Sequence, residues 1–213
     1  MAHSIAESKE KEQKENVQDL VEGGFSFLEK RILACQKCAL CETAANKVIS
    51  KGSQTPVVVF IGEAPGKNED ETGIPFCGKA GKLLDKYISY MELKPTDWAV
   101  INTLKCRPPN NRTPTKKEIE ICRPFLTAQL LLLNPKVIIL LGNTAEKAFG
   151  ETLDWGEVKK TEIKAEIKTE TGAGVLRTPD VLKIYHPAAM IYQRSREAEQ
   201  YAFLDRWKCL WAK

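Results

Sequence analysis

The sequence predicts an α/β protein of three layers, α/β/α, with a four-stranded parallel sheet between two helical layers. Three observations carry this. Four short runs, PVVVFIGEA (56–64), WAVINTLKC (98–106), KVIILLG (136–142) and VLKIYHP (181–187), are apolar over most of their length. Continuous apolar runs mark strands covered on both faces, whereas a half-exposed strand alternates. Stretches with helical periodicity separate the runs, and strands that alternate with helices fold as parallel sheets. The conspicuous polar motifs follow the strands, at the carboxyl edge where open parallel sheets bind ligands.

Taken in order, residues 1 to about 15 are polar and charged, and a tail with some helix is expected over 1–24. From Val17 to Leu33 apolar residues recur at helical spacing, interrupted by Gly23 and Gly24, which predicts two helices. One domain is expected over 25–213. After the first strand, Lys79 to Met91 reads as a helix. Thr115 with Glu118 three residues later forms a capping box, which starts a helix through Leu133. A short helix is expected over Asn143–Phe149 and a last one over Ser195–Trp211. Between them, residues 150–180 are charged, with a turn signalled at Gly172 and Gly174.

The bulk numbers fit one domain with a real core: 213 residues, 43% hydrophobic. The net charge of +4 permits a nucleic-acid partner if the positive groups gather on one face. No apolar run approaches the roughly 20 residues that cross a bilayer, and the N-terminus lacks a secretion signal, so a cytoplasmic protein is expected. Seven cysteines, several closely spaced, read in a reducing compartment as ligands rather than disulfides.

Cys35, Cys38 and Cys41 stand three apart in CQKCALC, and Cys106 and Cys122 flank a loop later on. Pairing Cys35 and Cys38 with Cys106 and Cys122 gives four thiolates that pin two distant segments together. Cys41 is an alternative to one of the four. Spacing alone leaves zinc and iron–sulfur equally open. Cys77 and Cys209 read as ordinary small residues.

Four strand-end motifs offer chemistry. GEAPGKNED (62–70) makes a tight turn at Gly62, Pro65 and Gly66, flanked by Glu63 and Glu69. Phe76, between glycines in TGIPFCGKAG, either stacks a flat ligand or folds back on the core. Asn102, an amide inside an apolar run, either satisfies itself on a loop or reads a ligand edge with both donor and acceptor. His186, in YHPAAMI, is structural or catalytic. Arg107, Asn110, Asn111, Arg112, Lys116 and Lys117 place basic and amide groups beside the thiols, as a phosphate-binding surface would.

Together CQKC, GEAPGKNEDETGIPFCGKAG, INTLKCRPPNNRTPT, Cys122, VIILLG and HPAAM resemble the family 4 uracil-DNA glycosylases, the iron–sulfur branch of their superfamily, over roughly residues 30 to 190. The resemblance implies a [4Fe–4S] cluster on Cys35, Cys38, Cys106 and Cys122. It implies that Gly62, Glu63 and Ala64 meet the uracil and its sugar, that Phe76 stacks on the base, and that Asn102 and His186 read it. It places Glu69 near the reacting sugar. Ala64 stands where the best-known branch carries an aspartate, so the choice between Glu63 and Glu69 stays open. The expected activity is excision of uracil from single- or double-stranded DNA by a monomer. Arg107, Asn111 and Arg112 would hold DNA phosphates, and Met190 or Ile191 would enter the duplex. The alternatives are a non-catalytic nucleic-acid-binding domain with the same cluster, and a glycosylase that also takes other deaminated bases.

Overall fold

The computed structural model describes residues 16–150, 152–161, 163 and 178–212; residues 1–15 and the turn expected at Gly172 and Gly174 lie outside them. Helices α1 (Val17–Glu22), α2 (Gly24–Leu33) and α3 (Leu40–Thr43) precede strands β1 (Ser50–Gly52) and β2 (Val58–Gly62). Helices α4 (Lys67–Thr72) and α5 (Lys79–Tyr90), strand β3 (Trp98–Asn102), helix α6 (Lys116–Leu133), strand β4 (Val137–Leu141) and helix α7 (Gly142–Phe149) follow. Strands β5 (Val158–Lys160) and β6 (Asp180–Ile184) and helices α8 (Pro187–Tyr192) and α9 (Glu197–Arg206) complete the order. No helix among the described residues is long and apolar enough to cross a membrane.

Among the described residues the sheet runs β1-β3-β2-β4-β6-β5, so the expected four strands become six. The four apolar runs are the parallel neighbours β3, β2, β4 and β6. The additional β1 and β5 pair antiparallel along the two edges. Each has three residues, SKG and VKK, exposed or half-exposed throughout. Backbone pairing alone defines such strands, and no apolar pattern announces them.

Alternation within the parallel strands makes the three layers. Val59, Ile61, Ile101, Ile138, Leu140 and Val181 face α6 and α7. Val58, Phe60, Val100, Ile139, Leu182 and Ile184 face α5, α8 and α9. Both sets are apolar because both faces are covered, as the continuous runs predict. The capping box that starts α6 is formed: the Glu118 N–H donates to Thr115 Oγ1 at 3.2 Å and the Thr115 N–H to Glu118 Oε2 at 2.8 Å.

Helix α1 is the first of the two helices expected over Val17–Leu33; its Leu20 is fully buried with Leu28, Ile32, Phe125 and Ala128, and Val17 and Val21 pack beside it. Two boundaries differ from expectation. The expected strand through Cys106 ends at Asn102. The expected C-terminal helix over Ser195–Trp211 is α9 flanked by 3-10 turns at Arg194–Arg196 and Lys208–Leu210. It stops where the Trp207 indole N–H turns onto the Gly156 carbonyl at 2.8 Å.

Chain direction across the sheet reverses at β2: β3 lies on one side of it and β4 on the other. Loops leaving their carboxyl ends diverge there and leave a crevice. If α1 belongs to the packed body, Leu20→Ala should cost about 2–5 kcal/mol, the usual range for emptying a buried leucine site. Urea denaturation measures it; a change under about 0.5 kcal/mol would show α1 to be dispensable.

Candidate active site

The crevice is a cavity of about 190 Å³ lined from the ends of β2, β3 and β6 and from the turn between α4 and α5. Gly62 and Asn102 end their strands as register partners. A Cβ built on Gly62 would stand 2.4 Å from Asn102 Oδ1 and 2.6 Å from Phe76 Cζ. Glycine is therefore required here by close approach: the amide and the ring both lean over bare backbone. Asn102 is 1% exposed, and its Oδ1 has no hydrogen-bond partner among the described residues. A buried acceptor left open costs about 1–3 kcal/mol unless a ligand fills it.

Phe76 lines the same cavity and is 7% exposed. Its φ of +53° is a left-handed conformation that costs a non-glycine residue about 1–3 kcal/mol. Packing holds it there. A Cβ on Gly81 would fall 1.7 Å from the Phe76 carbonyl oxygen, so α5 presses directly on this backbone. The Phe76 ring lies 5.8 Å, centroid to centroid, from the His186 imidazole, tilted 33°.

His186 caps α8, with Nδ1 accepting from the Ala188 N–H at 3.1 Å. An accepting Nδ1 carries no proton, so in the neutral ring the proton sits on Nε2. Burial pushes the imidazole down to about 4, against a smaller opposing pull from Glu69. The ring is neutral at pH 7. Gly142, at φ +85°, passes close enough that a Cβ there would touch His186 Cβ at 3.2 Å.

The two carboxylates differ in their partners. Glu63 accepts from Thr144 Oγ1 at 2.5 Å. Glu69 accepts with both oxygens, from the Gly66 N–H and the Gly78 N–H, each at 3.1 Å. The turn leads into α4, and Glu69 occupies the Gly66 N–H. Ala64 also lines the cavity.

At the rim, Pro108, Asn111 and Arg112 close one side of the cavity. Arg107 Nε donates to Asn111 Oδ1 at 2.7 Å. Arg112 makes a fork to Glu118, at 2.9 and 2.6 Å, and holds that carboxyl down to about 2. The expected phosphate-binding Arg112 therefore already has a carboxylate partner. The expectation for Met190 is corrected: it is 3% exposed and packs in the core with Leu84, Tyr87 and Phe203, as the inward position of α8 requires. Ile191 is half-buried, and Tyr192 beside it is 87% exposed.

The thiols of Cys106 and Cys122 act electrostatically on each other and on Cys35 and Cys38, so four sulfurs from two segments share one neighbourhood. Burial pushes the Cys106 thiol up to about 12 and the Cys122 thiol up to about 11. Cys41 sits beside Cys38, its N–H donating to the Cys38 carbonyl at 3.1 Å. No three His, Cys, Asp or Glu side chains among the described residues are gathered closely enough for a single metal ion. Buried thiols need a positive partner to deprotonate, and these four are the candidate ligands for a metal group. Lys105, 2% exposed, adds a cation beside Cys106 and Cys122 and donates to the Asn102 carbonyl at 2.5 Å.

Residues 49–210 match the family described as the uracil DNA glycosylase superfamily. The type-4 uracil-DNA glycosylase of Archaeoglobus fulgidus is 39% identical over 81% of this chain and 85% of its own. Those of Thermotoga maritima and Pyrobaculum aerophilum are 35% and 38% identical, over 85% and 81% of this chain and 90% and 87% of theirs. The chain belongs to the type-4 uracil-DNA glycosylases.

As a type-4 glycosylase the chain assembles Gly62, Glu63, Ala64, Glu69, Phe76, Asn102 and His186 around one cavity. Sequence reasoning missed three participants. Thr144 reaches Glu63 from α7, 81 residues away, and nothing in LGNTAEKAF signals it. Ala80 and Ala188 line the cavity with side chains too small to attract notice.

His186 should make stability fall with acid. The unfolded chain takes up a proton on a histidine near pH 6.5, whereas the folded ring resists to about 4. Between those values the unfolded state binds more protons, so stability present above pH 6.5 is withdrawn as pH falls toward 4. The His186 ring should show no NMR titration between pH 8 and 5.5. A midpoint near 6.5 would mean that the ring is solvated.

Proposed function

We propose that this protein extrudes uracil from DNA and hydrolyses its N-glycosidic bond, leaving an abasic site, as a cytoplasmic monomer. The observation that carries the proposal is the orphaned Asn102 Oδ1, buried in a cavity walled by the Phe76 ring. Extrusion costs a few kcal/mol, least for a mispaired base. Phe76 stacks on the extruded ring. Asn102 Oδ1 accepts from uracil N3–H, and its Nδ2 donates to O4. Cytosine has no N3–H and presents an amino group where O4 would be, so it meets donor with donor and leaves Oδ1 unpaired. Mismatches of this kind discriminate strongly in sites built to hydrogen-bond.

Cleavage breaks the bond between C1′ and uracil N1, and the bonding pair leaves with the base. His186 Nε2–H donates to O2 as negative charge gathers there, and burial already holds the ring in that neutral tautomer. Positive charge develops on the sugar. Glu63 and Glu69 both face this cavity. Because both Glu69 oxygens hold backbone N–H groups, we assign it to shaping the loop and to the local field. Glu63 is assigned to orienting the water whose oxygen bonds to C1′; the proton that water loses passes through solvent to the uracil anion, which leaves as neutral uracil.

Cys35, Cys38, Cys106 and Cys122 would hold a [4Fe–4S] cluster, which would supply a cross-link between the two cysteine-bearing segments. Those cysteines position the Arg107–Arg112 loop, whose Arg107 and Asn111 hold phosphates with Arg112 shared between Glu118 and the strand. Ile191 is assigned as the wedge, with buried Met190 as its support and Tyr192 as its exposed neighbour.

Uracil-containing duplex incubated with the protein should break at the uracil after alkali. Asn102→Ala should lower the single-turnover rate by at least roughly tenfold with DNA affinity nearly unchanged. An unaltered rate would remove Asn102 from the reading, and no breaks with a folded, coloured protein would leave a binding domain. Cys122→Ser should lose the visible absorption of the cluster together with thermal stability; a colourless wild type would overturn the cluster assignment.

A further inference from the structure

Outside the base cavity, α5 turns a basic face to solvent that uracil chemistry does not use. Lys79, Lys82 and Lys86 recur at intervals of three and four and so share one side of the helix. With Arg194, Ile191 and Glu197 they line a separate concavity of about 350 Å³, between α5 and the segment that follows α8. All four cations are exposed, and none forms an ion pair among the described residues. Four cations against the single Glu197 carboxylate concentrate three net charges in one groove, in a chain whose total is only +4.

The same two helices, α5 and α8, contribute residues to the groove and to the cavity. At its start, α5 lines the cavity with Ala80, and the preceding Gly78 N–H is held by Glu69. At the start of α8, His186 and Ala188 line the cavity, and Ile191 one turn on lines the groove. A strand that delivers its base to the cavity therefore passes over these two helices. Lys79 to Lys86 spans about 10.5 Å of helix axis, at 1.5 Å per residue. That matches about three base-pair steps of 3.4 Å.

We propose that this groove seats the phosphate backbone of the DNA on one side of the extruded nucleotide, with Lys79, Lys82, Lys86 and Arg194 as its phosphate contacts. The proposal rests on the glycosylase reading and extends its DNA footprint beyond the Arg107–Arg112 loop. Charge complementarity selects the occupant: a dense row of phosphates is the partner that rewards an unpaired row of cations.

The test compares the wild type with K82Q/K86Q/R194Q on a uracil-containing duplex of about 20 base pairs, with binding followed by fluorescence anisotropy across a salt series. Each phosphate contact contributes about 0.9 to the slope of log K against log salt. The triple variant should lose about 2.7 of that slope by the same relation. Uracil release from a single-stranded trinucleotide, too short to reach the groove, should be equal in the two proteins. Placing the uracil one base pair from one end of the duplex should lower the wild-type slope by at least as much as the variant loses, and placing it near the other end should not.

An unchanged slope in the triple variant would overturn the proposal, as would a full wild-type slope on both shortened duplexes. A loss of rate on the trinucleotide would do the same, by showing that the substitutions act on the cavity. The shortened duplexes need no variant, so a misfolded triple variant leaves the proposal exposed to them. Absence of uracil release from every DNA by the wild type would instead defeat the glycosylase reading, since the salt slopes report on the groove without any chemistry.

Discussion

Everything at the carboxyl edge of the sheet depends on the bare backbone of Gly62. The strand pairing sets Gly62 beside Asn102, and the turn after α4 brings Phe76 over both. No side chain fits at that point, because a single methyl group would collide with the amide and the ring together. The flat cavity exists because a glycine ends β2, and the polar groups around it are oriented from that gap.

The elements that hold this arrangement act against local preference. Phe76 keeps a left-handed backbone, Asn102 leaves an acceptor open, and His186 stays uncharged in a place where Glu69 favours its protonation. Each has a local cost, and the packed sheet and helices offset it. Strain and unsatisfied polarity gathered at one cavity mark a site shaped for a ligand rather than for stability.

Charge is arranged by the same logic on a larger scale. Arg112 is partnered by Glu118, and Lys183 by Glu146 at 2.8 Å beneath Trp155. These cations serve the fold. Among the described residues, a further group of cations without ion pairs is gathered on α5 and after α8, on the helices that also line the cavity. A modest net charge thus becomes a directed surface.

Much of this was legible in the residues themselves. The four apolar runs gave the parallel strands, since a strand covered on both faces must be apolar at successive positions. Thr115 and Glu118 announced the start of α6 through a contact three residues long. The glycine and proline turns, Phe76, Asn102 and His186 stood out because their types conflict with their surroundings. Other features could not be read. Strands β1 and β5 exist through backbone pairing that leaves no mark on side-chain pattern. Thr144 meets Glu63 across 81 residues, Glu69 turns to two backbone groups, and Met190 faces the core. Sequence determines periodicity and local chemistry, because both act within a few residues. Which side of a helix meets the core, and which distant group meets a carboxylate, are decided only when the layers close on one another.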